Sequence, residues 1–188
     1  MLRPRRPLRL AYRRDESTRR PSGADMAEQD PHEIVAEIMK DTHIAVLTYV
    51  DAQGRLVSTP MGTQDLDDPG RVHFITEADT DKMHAIAANP QVNVAYSSDK
   101  GWVSLAGTGA RNDDRALLER LWDSSASAWM EGGPEDPNST LLTVTADTAS
   151  YWESPGKVAI AVQLLKGKVQ GTDADPEPQD GQSGTISL

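Results

Sequence analysis

The chain has 188 residues, 37% of them hydrophobic, with a further 14 Gly and no cysteine. That length supports one domain with a sizeable core, and the lack of cysteine excludes a disulfide framework, a thiolate metal site, an iron–sulfur cluster and a Cys nucleophile. A net charge of −10 and the lack of any long apolar run argue against nucleic acid, a membrane surface or a membrane span, and lead to the expectation of a cytoplasmic protein.

Charge is unevenly spread. Residues 1–25 hold eight Arg against Asp15, Glu16 and Asp25, a local +5, which leaves −15 on the remainder. This segment lacks the apolar core of a secretory signal. A basic nucleic-acid arm, an amphipathic targeting segment and an upstream extension preceding Met26 all fit it; the extension reading makes 1–29 a disordered basic segment. Residues 169–188, rich in Asp, Pro, Gly and Gln, read as a disordered acidic tail. The folded domain is then expected over 30–168.

Within it, Asp30-Pro31-His32-Glu33 opens a helix with an Asp cap and Pro in the first turn, and Ile34, Val35, Ile38 and Met39 form its apolar stripe. His43 to Val50 reads as a strand, Asp51-Ala52-Gln53-Gly54 as a hairpin turn, and Arg55 to Thr63 as the return strand. Pro60 lacks an N–H, so that strand is expected at an edge or bulged. Asp67-Asp68-Pro69-Gly70 turns into a third strand, Arg71 to Glu77. Asp79 or Thr80 caps a short helix that reaches Asn89 and stops at Pro90. Strands are expected over Val92–Ser98 and Trp102–Ala110, a helix from Asn112/Asp113 through Leu121, then a Gly/Pro-rich loop. Further strands are read at Thr140–Ala146 and Lys157–Leu165. Turn-linked strands with few helices between them predict an antiparallel barrel rather than a doubly wound sheet.

Several motifs carry no chemistry. Gly107-Thr108-Gly109 lacks the third glycine and the βαβ setting of a dinucleotide site, and relief of crowding at a barrel corner accounts for it better. His32, His43, His73 and His84 show no metal spacing, so no metal is expected. The segment from Phe74 through Lys82 is more informative. A strand ends, a polar turn follows, and a helix opens at Thr80-Asp81-Lys82. Unpaired amides and the dipole at a helix start attract an anion, and Lys82 is the only Lys or Arg between Arg71 and Lys100. A surface lysine in a capped helix is the plain alternative.

Asp41 to Pro155 resembles the pyridoxamine-5′-phosphate-oxidase-like split-barrel superfamily, in its general-stress-protein branch. The similarity runs in order through Ile44–Thr48 with Gly54, Ser58-Thr59-Pro60-Met61, Phe74-Ile75-Thr76 with Asp81-Lys82, and Asn89-Pro90-Gln91-Val92. It continues through Gly107 with Asp114-Arg115, Leu121-Trp122, the run Ala128 to Pro137, Leu141-Leu142 and Tyr151-Trp152. The resemblance implies a mainly β, α+β fold, a six-stranded antiparallel split β-barrel. It also implies a homodimer with FMN in each of two interfacial clefts, or alternatively a deazaflavin or no cofactor.

On that resemblance, Ser58, Thr59, Pro60, Met61, Phe74, Ile75 and Thr76 would line the flavin's polar edge and ribityl chain. Ser58, Thr76, the helix start at Asp81 and Lys82 would hold the phosphate, while Trp102, Trp129 and Trp152 would pack beside the ring or in the core. No catalytic side chain is assigned. Two departures stand out. Thr59 occupies the place where relatives carry Arg, removing a bidentate anion contact. Gln163 to Gly171 holds only Lys166 and Lys168 where the true oxidase has an Arg/His cluster, which argues against vitamin B6 oxidation. The resemblance therefore implies a flavin-dependent oxidoreductase of unknown substrate, with a non-catalytic flavin carrier or sensor and a cofactor-free dimeric interaction module as alternatives.

Overall fold

The computed structural model describes residues 29–64, 68–154 and 183–188. Helix α1 (Pro31–Lys40) begins where the Asp30 carboxylate accepts from the His32 amide at 3.0 Å, with Pro31 in the first turn and Lys40 in the last. These complement the unpaired N–H groups at one end and the dipole at the other. Its predicted stripe, Ile34, Val35, Ile38 and Met39, is buried.

Strands β1 (Ile44–Val50) and β2 (Leu56–Gly62) form the first hairpin. The Asp51 carboxylate organises the turn by accepting from the amides of Gln53 and Arg55, each at 2.9 Å, and Gly54 takes a φ of 75°. Glycine alone adopts that backbone without strain. Then come β3 (Arg71–Glu77), α2 (Asp81–Ala88), β4 (Gln91–Ser98), β5 (Gly101–Asn112), α3 (Arg115–Leu121), α4 (Ser124–Trp129), β6 (Ser139–Glu153) and β7 (Ser183–Ser187).

All pairings are antiparallel, in the order β2-β1-β4-β5-β6-β3, with β7 beside β6. The mainly β, antiparallel expectation holds; among the described residues the sheet has seven strands, six in this path plus β7, and it is not closed. Its end strands β2 and β3 approach one another without pairing. Pro60 lies on the end strand β2, whose register with β1 runs unbroken from Ile44↔Gly62 to Val50↔Leu56, so the edge alternative holds and the bulge does not.

Three elements depart from expectation. Strand β6 runs to Glu153, well past Ala146, because its register with β5 shifts between Ala106 and Gly107 and leaves Asp147 unpaired. A side chain at Gly107 would run into the Thr145 carbonyl oxygen, so this glycine does relieve crowding at a bulge. Helix α4 lies where a loop was expected. The tail reading fails at residues 183–187, which pair as β7 with Thr148–Trp152 and cover the part of the β6 edge that β3 leaves free. The predicted strand 157–165 lies outside the described residues.

Inward side chains such as Leu47, Phe74, Ile86, Val94 and Leu105 form the core. The outward face is unusual for so acidic a chain. Cross-strand rows Pro60–Val46–Ala95–Ser104–Ser150–Thr185 and Ser58–Thr48–Asn93–Ala106–Thr148–Ser187 contain no charged residue, nor does Ser97–Trp102–Trp152–Ser183. Trp102 and Trp152 face each other there, 51% and 48% exposed. Their polar neighbours satisfy one another through Thr48–Ser58 at 2.9 Å, Asn93–Ser104 at 2.7 Å and Ser150–Thr185 at 2.8 Å.

Candidate functional site

Where the two end strands part, a cleft of about 470 Å³ opens, within the size range of small-molecule sites. Pro60, Met61 and Gly62 of β2 form one wall and Ile75, Thr76 and Glu77 of β3 the other. The start of α2 supplies Thr80 and Lys82, and α4 with the residue after it supplies Ala126, Trp129 and Met130. Of the predicted site residues, the fold gathers Pro60, Met61, Ile75, Thr76, Lys82 and Trp129 here.

The others go elsewhere. Phe74 points inward and is 1% exposed. Ser58 lies on the outer face, engaged with Thr48. Thr59 packs beside Met61, its hydroxyl 3.9 Å from the sulfur. Asp81 lies about 100° around the helix from Lys82 and lines a second cleft with Tyr49, Arg55 and His84. Trp102 and Trp152 stand on the outer sheet face, away from the lining of the first cleft.

Helix α2 is capped as the sequence predicts, by Thr80 Oγ1 accepting from the Met83 amide at 3.2 Å. The amides just before it are not free: Ala78 donates to the Asn138 carbonyl at 2.7 Å and Asp79 to Asn138 Oδ1 at 2.9 Å. Any anion held here therefore depends more on side chains than the sequence suggests. Thr76 is 5% exposed and its hydroxyl has no hydrogen bond among the described residues.

Lys82 is half-buried, and no carboxylate lies within ion-pair distance of it among the described residues. Its ammonium donates instead to Met61 Sδ at 3.4 Å, a weak acceptor. Burial pulls its pKa below the usual lysine value, partly opposed by the nearby Glu77 charge. Among the described residues, Lys82 is the one cation lining the cleft.

A feature that sequence reasoning missed holds the far wall. Arg115 Nη1 donates to the carbonyls of Pro134, Asp136 and Ser139 at 3.2, 3.0 and 2.8 Å, and Nη2 to that of Pro137 at 3.3 Å. This guanidinium pins the segment that follows Met130, and Asn138 of that segment grips the turn leading to Lys82. Helix α4 was also missed; its one sequence signal is Asp123, whose carboxylate accepts from the Ala126 amide at 2.7 Å. Among the described residues there is no cluster fit to hold a metal ion, and no helix long and apolar enough to cross a membrane.

The antiparallel sheet thus parts at its end strands, with a lysine-bearing cleft in the gap. The sequence profile described as pyridoxamine 5′-phosphate oxidase like matches residues 30–175, and the chain belongs to that family. It is 26% identical to the protein bli-3 of Neurospora crassa over 151 residues, covering 71% of this chain and 72% of that one. A solved structure from Jannaschia sp. CCS1, described as a general stress protein 26, is 29% identical with a TM-score of 0.66, covering 83% of this chain and 97% of that one. The general stress FMN/FAD binding protein of Xanthomonas citri is 28% identical with a TM-score of 0.56, covering 66% and 92%.

Proposed function

We propose that this chain binds FMN in the β2–β3 cleft and serves as a flavin-dependent oxidoreductase of the general-stress type. One observation carries the reading: among the described residues, the cleft's one cation rests on a thioether rather than on a carboxylate, which leaves it available to an anion. The donor set fits the cofactor. Lys82 and the Thr76 hydroxyl would hold the phosphate, and Ile75, Pro60, Met130 and Trp129 offer apolar surface to the ring. The name of the Xanthomonas citri relative supports the same cofactor. Bound flavin supplies the hydride or electron transfer, while the chain orients it and excludes water.

The proposal includes a homodimer that completes the cleft. Ile44 and Pro60 belong both to the cleft and to the uncharged outer face, so a second copy seated on that face would close the cleft and could bring its own Trp102 or Trp152 to it. A second reading, a flavin carrier without turnover, draws support from the lining: among the described residues, Glu77 and Lys82 are its only titratable side chains.

The test is direct. The full chain is purified without added cofactor, then titrated with FMN while flavin fluorescence and sedimentation are followed. One flavin per chain in a dimer is expected, with reduction by NADH or NADPH separating oxidoreductase from carrier. A colourless protein that takes up no FMN would overturn the reading.

A further inference from the structure

We propose that Met61 is a site of reversible oxidation by hydrogen peroxide, and that its sulfoxide captures the Lys82 ammonium and so switches off anion binding in the cleft. Met61 lines the cleft yet is only 5% exposed. Its sulfur lies between two donors, the Lys82 ammonium at 3.4 Å and the Thr59 hydroxyl at 3.9 Å. A thioether uses such donors poorly. A sulfoxide oxygen on the same atom is a polar acceptor, and both donors are already placed to receive it. The environment is thus better suited to the oxidised side chain than to the reduced one. Met39 and Met83 are equally buried, at 2% and 5%, but have no donor at sulfur among the described residues and do not line this cleft.

The chemistry balances. A sulfur lone pair attacks one peroxide oxygen, the O–O bond breaks, and the departing hydroxide takes a proton from Lys82 to leave as water. The proton still on the transferred oxygen returns to the Lys82 amine. Sulfur is oxidised by two electrons and the peroxide is reduced by two, leaving the sulfoxide, one water and an unchanged ammonium. The consequence for FMN rests on the flavin reading above; the modification itself does not.

The test treats the full chain with limiting hydrogen peroxide and maps the methionines by mass spectrometry. Met61 sulfoxide is expected to appear before that of Met39 or Met83, and to slow acetylation of Lys82 by acetic anhydride. FMN affinity is expected to fall by about tenfold, as for loss of one charge-assisted contact, and to return after methionine sulfoxide reductase treatment. In Met61→Leu, FMN affinity should be the same before and after peroxide, whatever its starting value. Oxidation of Met61 no faster than Met39 and Met83, unchanged Lys82 reactivity, or an equal peroxide effect in Met61→Leu would each overturn the proposal. If the untreated chain binds no FMN, the flavin reading fails, and the mapping and acetylation results still decide this one.

Discussion

Replacing Lys82 with Ala isolates the interaction on which the proposed flavin binding depends. In the free protein the side chain has little to lose: its ammonium meets one thioether sulfur, and burial already disfavours its charge. Much of the cost of taking it out of water has therefore been met before a ligand arrives. A phosphate placed there would gain a charge-assisted contact of about 1.5–3 kcal/mol, so the substitution should weaken FMN binding by roughly 10- to 150-fold. Riboflavin, which has the same ring and ribityl chain without the phosphate, serves as the control. Fluorescence-quenching titrations of both flavins against both proteins should show a large loss for FMN and little change for riboflavin. Thermal stability should barely move, because Lys82 makes no ion pair among the described residues. Equal losses for the two flavins, or an FMN affinity that stays put, would refute the reasoning and put the phosphate elsewhere.

Three further outcomes follow from the same geometry. Because burial lowers the Lys82 pKa, the ligand-free protein should gain stability as pH rises through that lowered value toward the ordinary lysine range, while FMN affinity falls over the same window as the charge is lost; parallel melting and binding profiles read the two opposite signs. Arg115→Ala removes hydrogen bonds to four carbonyls and should cost about 2–3 kcal/mol in chemical denaturation, with weaker FMN binding because Asn138 no longer steadies the Lys82 turn. Trp102→Glu combined with Trp152→Glu places two carboxylates in the uncharged rows and should convert a dimer to monomers by sedimentation, with loss of FMN binding but retention of the strand circular-dichroism signal.

The parts of the fold legible in the sequence are those fixed by local chemistry. Asp30, Asp51 and Thr80 each accept from nearby amides and set a helix start or a turn within a few residues. Pro60 reveals an edge because it has no donor to give a neighbour. What escaped depends on distant partners or on broken periodicity. The bulge at Asp147 reverses the alternation of β6, so Asp147–Glu153 did not continue the pattern before it. Helix α4 buries only Ala126 and presents no apolar stripe. Strand β7 has Ile186 as its one large apolar residue and exists because β6 offers an open edge. The site divides the same way. Lys82 was marked by its isolation in an acidic chain, and Met61, Thr76 and Trp129 by resemblance, whereas Phe74 enters the core on the same face of β3 as Thr76 but farther from the cleft, and Asp81 is displaced by one step of helix phase. Arg115 could not have been read locally, since its partners lie 19 to 24 residues ahead.

An acidic protein that binds an anion needs charge placement more than charge count. At physiological ionic strength exposed charges are screened beyond about 8 Å, so distant surplus carboxylates have little effect at the cleft, and among the described residues Glu77 is the one that lines it. The remaining problem is competition for the cation itself. A carboxylate partner would hold Lys82 and have to be displaced; Met61 keeps the ammonium in position and gives way at little cost. The uncharged rows extend the same logic outward, because Pro60 carries the cleft wall into a row without carboxylates. A copy packed there would exclude water without bringing negative charge toward the phosphate, and a drier cleft strengthens the single lysine's hold.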